Sequence, residues 1–100
     1  MEAKNIEISR EAIEAFCRRH GVARLSLFGS VLRDDFGPDS DIDVLVEFLP
    51  DVRYSLLDLG GMYVELREML GREVDLKTPF DLSRHFRDEV VQSAKLLYAA

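Results

Sequence analysis

The sequence predicts an α/β (α+β) domain, a small mixed β-sheet covered by helices. Three observations carry that prediction. Two short segments alternate apolar and polar residues, as half-buried strands do. Two longer ones place apolar residues at steps of three and four, as buried helix faces do. Along the chain the order is helix, strand, strand, helix, strand, helix, a pattern that layers helices on a sheet.

The first helix is ISREAIEAFCRRHG. Ser9 is its N-cap, Glu11 and Glu14 lie toward the positive end of the helix dipole, and Arg18, Arg19 and His20 lie toward the negative end. Gly21 stops it, and Ile8, Ala12, Ile13, Phe16 and Cys17 form its apolar stripe. A short strand, Arg24 to Phe28, ends at Gly29; SVLRDDF after it has room for one or two helical turns, and FGPDS is a turn. Ile42 to Phe48 is the clearest strand, with Ile42, Val44, Val46 and Phe48 on one face and Asp41, Asp43, Leu45 and Glu47 on the other.

The second long helix carries Leu56, Leu59, Tyr63, Leu66 and Leu70 as its buried face and ends at Gly71. Gly60-Gly61 inside it costs on the order of 1 kcal/mol per glycine. That implies either a later helix start or a neighbouring backbone close by. REVDLKT is the third strand, with Val74 and Leu76 opposite Glu73, Asp75 and Lys77; Pro79 breaks it. A last helix from about Ser83 turns Leu82, Phe86, Val90, Ala94 and Leu97 inward.

Composition bounds what such a domain does. With 100 residues, 47% hydrophobic and 32% charged, residues 1–100 are expected to be one globular domain with one core. No apolar run approaches the ~20 residues of a membrane span, and MEAKNIEISR has no signal-peptide core. The single cysteine, Cys17, has no internal disulfide partner and fits a reducing cytoplasm, where it reads as core filler. A net charge of −6 argues against a nucleic-acid partner held by phosphate contacts, yet allows a nucleotide bridged through cations. His20 and His85 read as helix-surface residues, and Arg84, His85 and Arg87 as a small basic spot.

The chemistry concentrates in FGSVLRDDFGPDSDID, residues 28–43. Asp41 and Asp43 stand two apart on a strand and so share a face. Two carboxylates held together repel unless a cation sits between them, and Mg²⁺ takes protein carboxylates together with phosphate oxygens. Asp75, on the polar face of REVDLKT, is a third acid that adjacent strands would bring to the same place. Three carboxylates can hold two ions for in-line displacement at phosphorus. Gly29 lets the backbone turn sharply and approach a ligand, and Ser30 would open a short helix whose N–H groups and hydroxyl suit phosphate. Arg33 has two readings: a phosphate contact, or an ion pair with Asp34, Asp35 or a site aspartate.

Gly29-Ser30, ten intervening residues and Asp41-Ile42-Asp43 resemble the signature of polymerase-beta-type nucleotidyltransferases. SDIDVLVEF, GREVDLKT and the chain length are similar to the minimal nucleotidyltransferase (MNT) group in particular, over roughly Leu25 to Thr78. The resemblance implies the polymerase-beta-type fold. It assigns the triphosphate to Gly29 and Ser30 and the metal to Asp41, Asp43 and Asp75, with Asp75 also helping to deprotonate the attacking hydroxyl. The family's usual small residue after the arginine is Asp34 here. The implied reaction is transfer of AMP from ATP to an acceptor hydroxyl, with release of pyrophosphate and two Mg²⁺ ions. MNT proteins are commonly encoded beside a helical HEPN-domain ribonuclease toxin, so the implied acceptor is a tyrosine of that partner and the implied role is antitoxin.

Two alternatives stay open on the sequence: a docking module that silences its partner without catalysis, and a small-molecule nucleotidyltransferase. A homo-oligomer is also compatible, since a transferase this small with one open face is expected to leave apolar surface on the Leu56–Leu70 helix and at LLYAA.

Overall fold

The layers follow from where each strand can place its apolar residues. In the computed structural model, residues 2–3, 6–32, 37, 40–82 and 84–100 are described. Two short strands, β1 (Glu2–Ala3) and β2 (Ile6–Glu7), pair antiparallel ahead of helix α1 (Arg10–His20). Then come β3 (Val22–Phe28), a 3-10 turn (Gly29–Leu32), β4 (Ile42–Phe48), α2 (Leu56–Leu70) and β5 (Val74–Lys77). A second 3-10 turn (Pro79–Asp81), α3 (Arg84–Ser93) and β6 (Lys95–Ala99) complete the chain.

The main sheet runs β5-β4-β3-β6. β4 pairs parallel with β5, while β3 pairs antiparallel with β4 and with β6, so the sheet is mixed as expected. One face carries Leu25, Leu27, Ile42, Val44, Val46 and Val74 into a core with Ile13, Phe16 and Cys17 of α1 and Met62, Leu66 and Leu70 of α2. Burial pushes the Cys17 thiol up to about 12, which leaves it an inert packing group. The opposite face buries Phe28 and Leu45 under Leu82 and Val90. By strand alternation Asp41, Asp43 and Asp75 belong to this second face.

Helix ends form as the sequence indicates. Ser9 Oγ accepts from the Ala12 amide at 3.3 Å, and Gly21 closes α1. α2 starts with a capping box that the sequence reading passed over: Asp58 N donates to Ser55 Oγ at 3.2 Å, and Ser55 N donates to Asp58 Oδ2 at 2.8 Å. The two helices are clamped by charge at their outer surface. Arg19 Nη1 and His20 Nε2 each stand 2.5 Å from a Glu65 carboxylate oxygen, and the His20 ring lies 4.8 Å from that of Phe16. His20 is thus an interhelix contact.

Four expectations need correction. β3 begins two residues earlier than Arg24. Leu56 does not face the core; it is 86% exposed, and Met62 takes the deep position instead. The Gly60-Gly61 pair neither delays the helix nor meets a neighbour, since α2 spans both and no atom lies within 4 Å of a Cβ added at either. The last helix stops at Ser93, so Leu97 belongs to β6. KLLYA has helix-forming residues and no polar alternation, but the open edge of β3 offers it a ladder, and tertiary pairing overrides weak local preference. The side chains of Arg84, His85, Phe86 and Arg87 lie outside the described residues.

Because Gly60 and Gly61 face open space in a helix interior, alanine at either position should stabilise the protein by ~0.5–1 kcal/mol. Thermal unfolding should show a rise of about 4–8 °C for each kcal/mol gained. The Glu65 clamp predicts a pH effect. Partial burial raises its carboxyl, but hydrogen bonds from Arg19 and His20 and their charge outweigh that and hold it below its ordinary value. A depressed folded-state value gives stability that is present above the unfolded-state value, about 4.3, and is lost as pH falls through the folded one. Glu65→Gln should therefore lower the melting temperature at pH 7, and the gap from the native protein should close at acid pH.

Candidate active site

The acidic face is organised by strand register. In the antiparallel ladder Phe28 lies opposite Asp43, and in the parallel ladder Asp43 lies beside Asp75. The end of β3, the start of β4 and the start of β5 therefore meet in one row. Asp41, one pleat before Asp43, is exposed, while Asp43 and Asp75 are half-buried. The Ile42 amide donates to the Glu73 carbonyl at 2.9 Å, which pins the two strands where the acids begin.

Gly29 stands at the end of β3 with φ 75°. A side chain there is strained by backbone conformation, and a Cβ would overlap the Asp43 carboxylate. Glycine is thus needed twice, for the left-handed turn and for the close approach of backbone to Asp43. Ser30 follows as the second residue of the 3-10 turn. Its side chain, and Arg33, Asp34 and Asp35 entirely, lie outside the described residues.

The three carboxylates are aligned by backbone but not drawn to one point. Among the described residues, no three Asp, Glu, His or Cys groups stand together as a metal-binding set. Like charges in neighbouring register positions spread apart unless a cation holds them. Asp75 has a partner of its own: Lys77 Nζ stands 3.3 Å from Asp75 Oδ1, both side chains being partly exposed. The donor set is nonetheless right for a hard divalent cation, all carboxylate oxygen on one sheet face beside a glycine turn. Asp41, Asp43 and Asp75 are the residues that could hold it.

The sequence reading missed Arg72. By pattern it is the first residue of a strand, yet its Nη2 donates to the carbonyls of Gly37, at 2.6 Å, and Ser40, at 2.8 Å. These are backbone groups of the loop leading into Asp41. The available signal was a cation directly before the segment carrying the third acid, but it pairs with carbonyls, which sequence does not mark.

A glycine turn lies against one aspartate, with a second aspartate in register on the next strand, an arrangement compatible with nucleotidyl transfer. The sequence profile of the nucleotidyltransferase domain family matches residues 9–98. A Methanocaldococcus jannaschii protein named as a candidate protein adenylyltransferase is 42% identical over 88 residues, 88% of this chain and 91% of that protein. A solved structure of a candidate minimal nucleotidyltransferase superposes with a TM-score of 0.71 at 38% identity, covering 85% of each chain. The chain belongs to the nucleotidyltransferase domain family, on its minimal (MNT) branch. A more distant likeness, of fold alone, is to a chain in the complex of a tri-AMPylated Shewanella oneidensis HEPN toxin with MNT antitoxin, at TM-score 0.62 and 24% identity, covering 91% of this chain and 70% of that one. No helix among the described residues is long and apolar enough to cross a membrane.

Gly29→Ala should fold, with a loss of ~1–2 kcal/mol from the left-handed conformation, and should displace the Asp43 carboxylate. Nucleotidyl transfer should fall far more than the melting temperature alone accounts for. Unchanged transfer by a folded Gly29→Ala protein would contradict the close-approach role.

Proposed function

We propose that residues 1–100 form one catalytic domain, a cytoplasmic Mg²⁺-dependent protein adenylyltransferase that transfers AMP from ATP to a tyrosine hydroxyl of a HEPN-domain toxin and silences it. The observation that carries this reading is the register row that sets Asp75 beside Asp43, with Gly29 closed against the Asp43 carboxylate. The kinship with a candidate protein adenylyltransferase, and the AMPylated HEPN toxin found with an MNT antitoxin in the same fold, support the choice of donor and acceptor.

In this reading Asp41 and Asp43 bind the ions and Asp75 completes the set. When bound, two Mg²⁺ ions polarise the phosphoryl oxygens and offset the charge that builds on the entering and leaving oxygens. Gly29 and Ser30 bring backbone N–H groups to the triphosphate, and Arg33 adds charge to it. Asp75 takes the proton from the acceptor hydroxyl. The acceptor oxygen then bonds to the α-phosphorus as the bond to the bridging oxygen breaks, and pyrophosphate leaves with its electron pair. The protein's own share is positioning and charge neutralisation. Leu56 and Leu57, 86% and 85% exposed at the start of α2, give a protein acceptor apolar surface to dock on.

Asp43→Asn tests the reading, because it keeps size and removes one charge from the row. The variant should fold, since a carboxylate beside its like contributes repulsion more than packing. Transfer of label from ATP to the partner should fall by more than the ~10–100-fold typical of losing a supporting residue, and partner silencing should fail with it. A variant that no longer transfers label but still silences the partner would show that docking is the function. Transfer to a small molecule and not to the partner would redirect the acceptor.

A further inference from the structure

Arg72 connects two parts of the fold that the site needs in fixed relation. It directly follows the glycine that ends α2 and lies two positions before the start of β5 and three before Asp75. Its guanidinium reaches across to the loop that precedes β4 and donates from one nitrogen to two carbonyls, Gly37 at 2.6 Å and Ser40 at 2.8 Å. Those two residues also close on each other: Ser40 N donates to Gly37 O, and Gly37 N donates to Ser40 Oγ, each at 3.1 Å. The Ser40 carbonyl belongs to the peptide unit whose nitrogen is that of Asp41. One residue further on, the Ile42 amide is already bonded to the Glu73 carbonyl at 2.9 Å.

The β5 end therefore grips the β4 end at consecutive steps, first by the Arg72 side chain and then by the backbone. Parallel pairs gain slightly less per residue than antiparallel ones, and β5 has only four residues in its ladder. A one-residue slip would turn Asp43 or Asp75 to the opposite face. The two charge-assisted hydrogen bonds of Arg72 are strong relative to one ladder step and act at the end of the ladder where the acids lie.

We propose that Arg72 is a positioning residue for nucleotidyl transfer: it anchors Gly37 and Ser40 to β5, and so holds Asp41 in line with Asp43 and the Asp43–Asp75 register in place for Mg²⁺·ATP. This rests on the reading of the aspartates given above. In this role Arg72 acts through the backbone it holds, not by contact with nucleotide or acceptor.

The test compares the full-length native protein with Arg72→Ala, Arg72→Lys and, as a control on the site itself, Asp41→Asn. Affinity for Mg²⁺·ATP is measured by calorimetry, amide exchange at Ile42 by NMR, and global stability by thermal unfolding. Arg72→Ala should weaken Mg²⁺·ATP binding about 10–100-fold, the usual range for a residue supporting metal ligands. Exchange at Ile42 should quicken while amides in the middle of β3 keep their protection. Arg72→Lys, which keeps the charge and N–H donors without the planar fork, should recover part of the affinity. Native-like affinity in Arg72→Ala overturns the proposal, provided that Asp41→Asn loses binding; if Asp41→Asn also binds normally, the assignment of the aspartates is what fails. Equal loss of protection across the whole sheet, with no recovery by lysine, also overturns it, because Arg72 is then only a stabilising residue. If Arg72→Ala does not fold, the same affinity order is read from native, Arg72→Lys and Arg72→Gln.

Discussion

The geometry of the site depends on a three-strand row in which Phe28, Asp43 and Asp75 occupy neighbouring ladder positions. Two kinds of pairing meet there, antiparallel on one side of β4 and parallel on the other. β3 thus delivers its last residue, and the glycine after it, to the place where β4 and β5 deliver their first carboxylates. A strand has a side-chain period of two, so the same ladders that send Ile42, Val44 and Val74 into the core oblige the residues between them to face the other way. Core burial and placement of the acids are one constraint. A sequence that packs this core in this register has already put Asp43 beside Asp75.

Charge is distributed around that row with economy. The chain is acidic overall at −6, and the row adds like charges at close quarters, which costs stability in the absence of a cation. Two basic residues of the short segment around β5 meet this cost differently. Lys77 pairs directly with the Asp75 carboxylate, whereas Arg72 donates to the backbone carbonyls of Gly37 and Ser40. An arginine suits the second task because its charge stays fixed at every ordinary pH and its donors are set in a rigid plane. A lysine suits the first, since a flexible ammonium can give way.

Much of this was legible before the structure. The alternation of Ile42–Phe48 marked β4, and the capped, periodic stretch from Ser9 to Gly21 marked α1, because in both the local pattern and the burial agree. Gly29, Asp41, Asp43 and Asp75 stood out as candidates for chemistry because glycine and paired carboxylates are poor choices for packing alone. What was not legible depended on remote partners. Lys95–Ala99 is a strand because β3 has an edge to fill, which nothing within KLLYA states. Leu56 looks like a core residue by spacing, yet at the first position of α2 it is exposed. Gly60 and Gly61 suggest a later helix start or a crowded crossing, yet α2 spans both and they face open space. Arg72 is invisible in the sequence for a related reason, since its partners are carbonyls that every residue possesses.

The shortness of β5 has a consequence for how these molecules behave in a crowd. As the outer strand beside the acids it presents unpaired backbone groups, the usual template on which another chain adds itself. Only four residues long, carrying Lys77 and followed within two positions by Pro79, it offers a template too brief and too interrupted to be extended. Sheet growth from copy to copy is discouraged on the side where the carboxylates lie. The edge beside the carboxylates is thus a poor template for stacking of one copy on another.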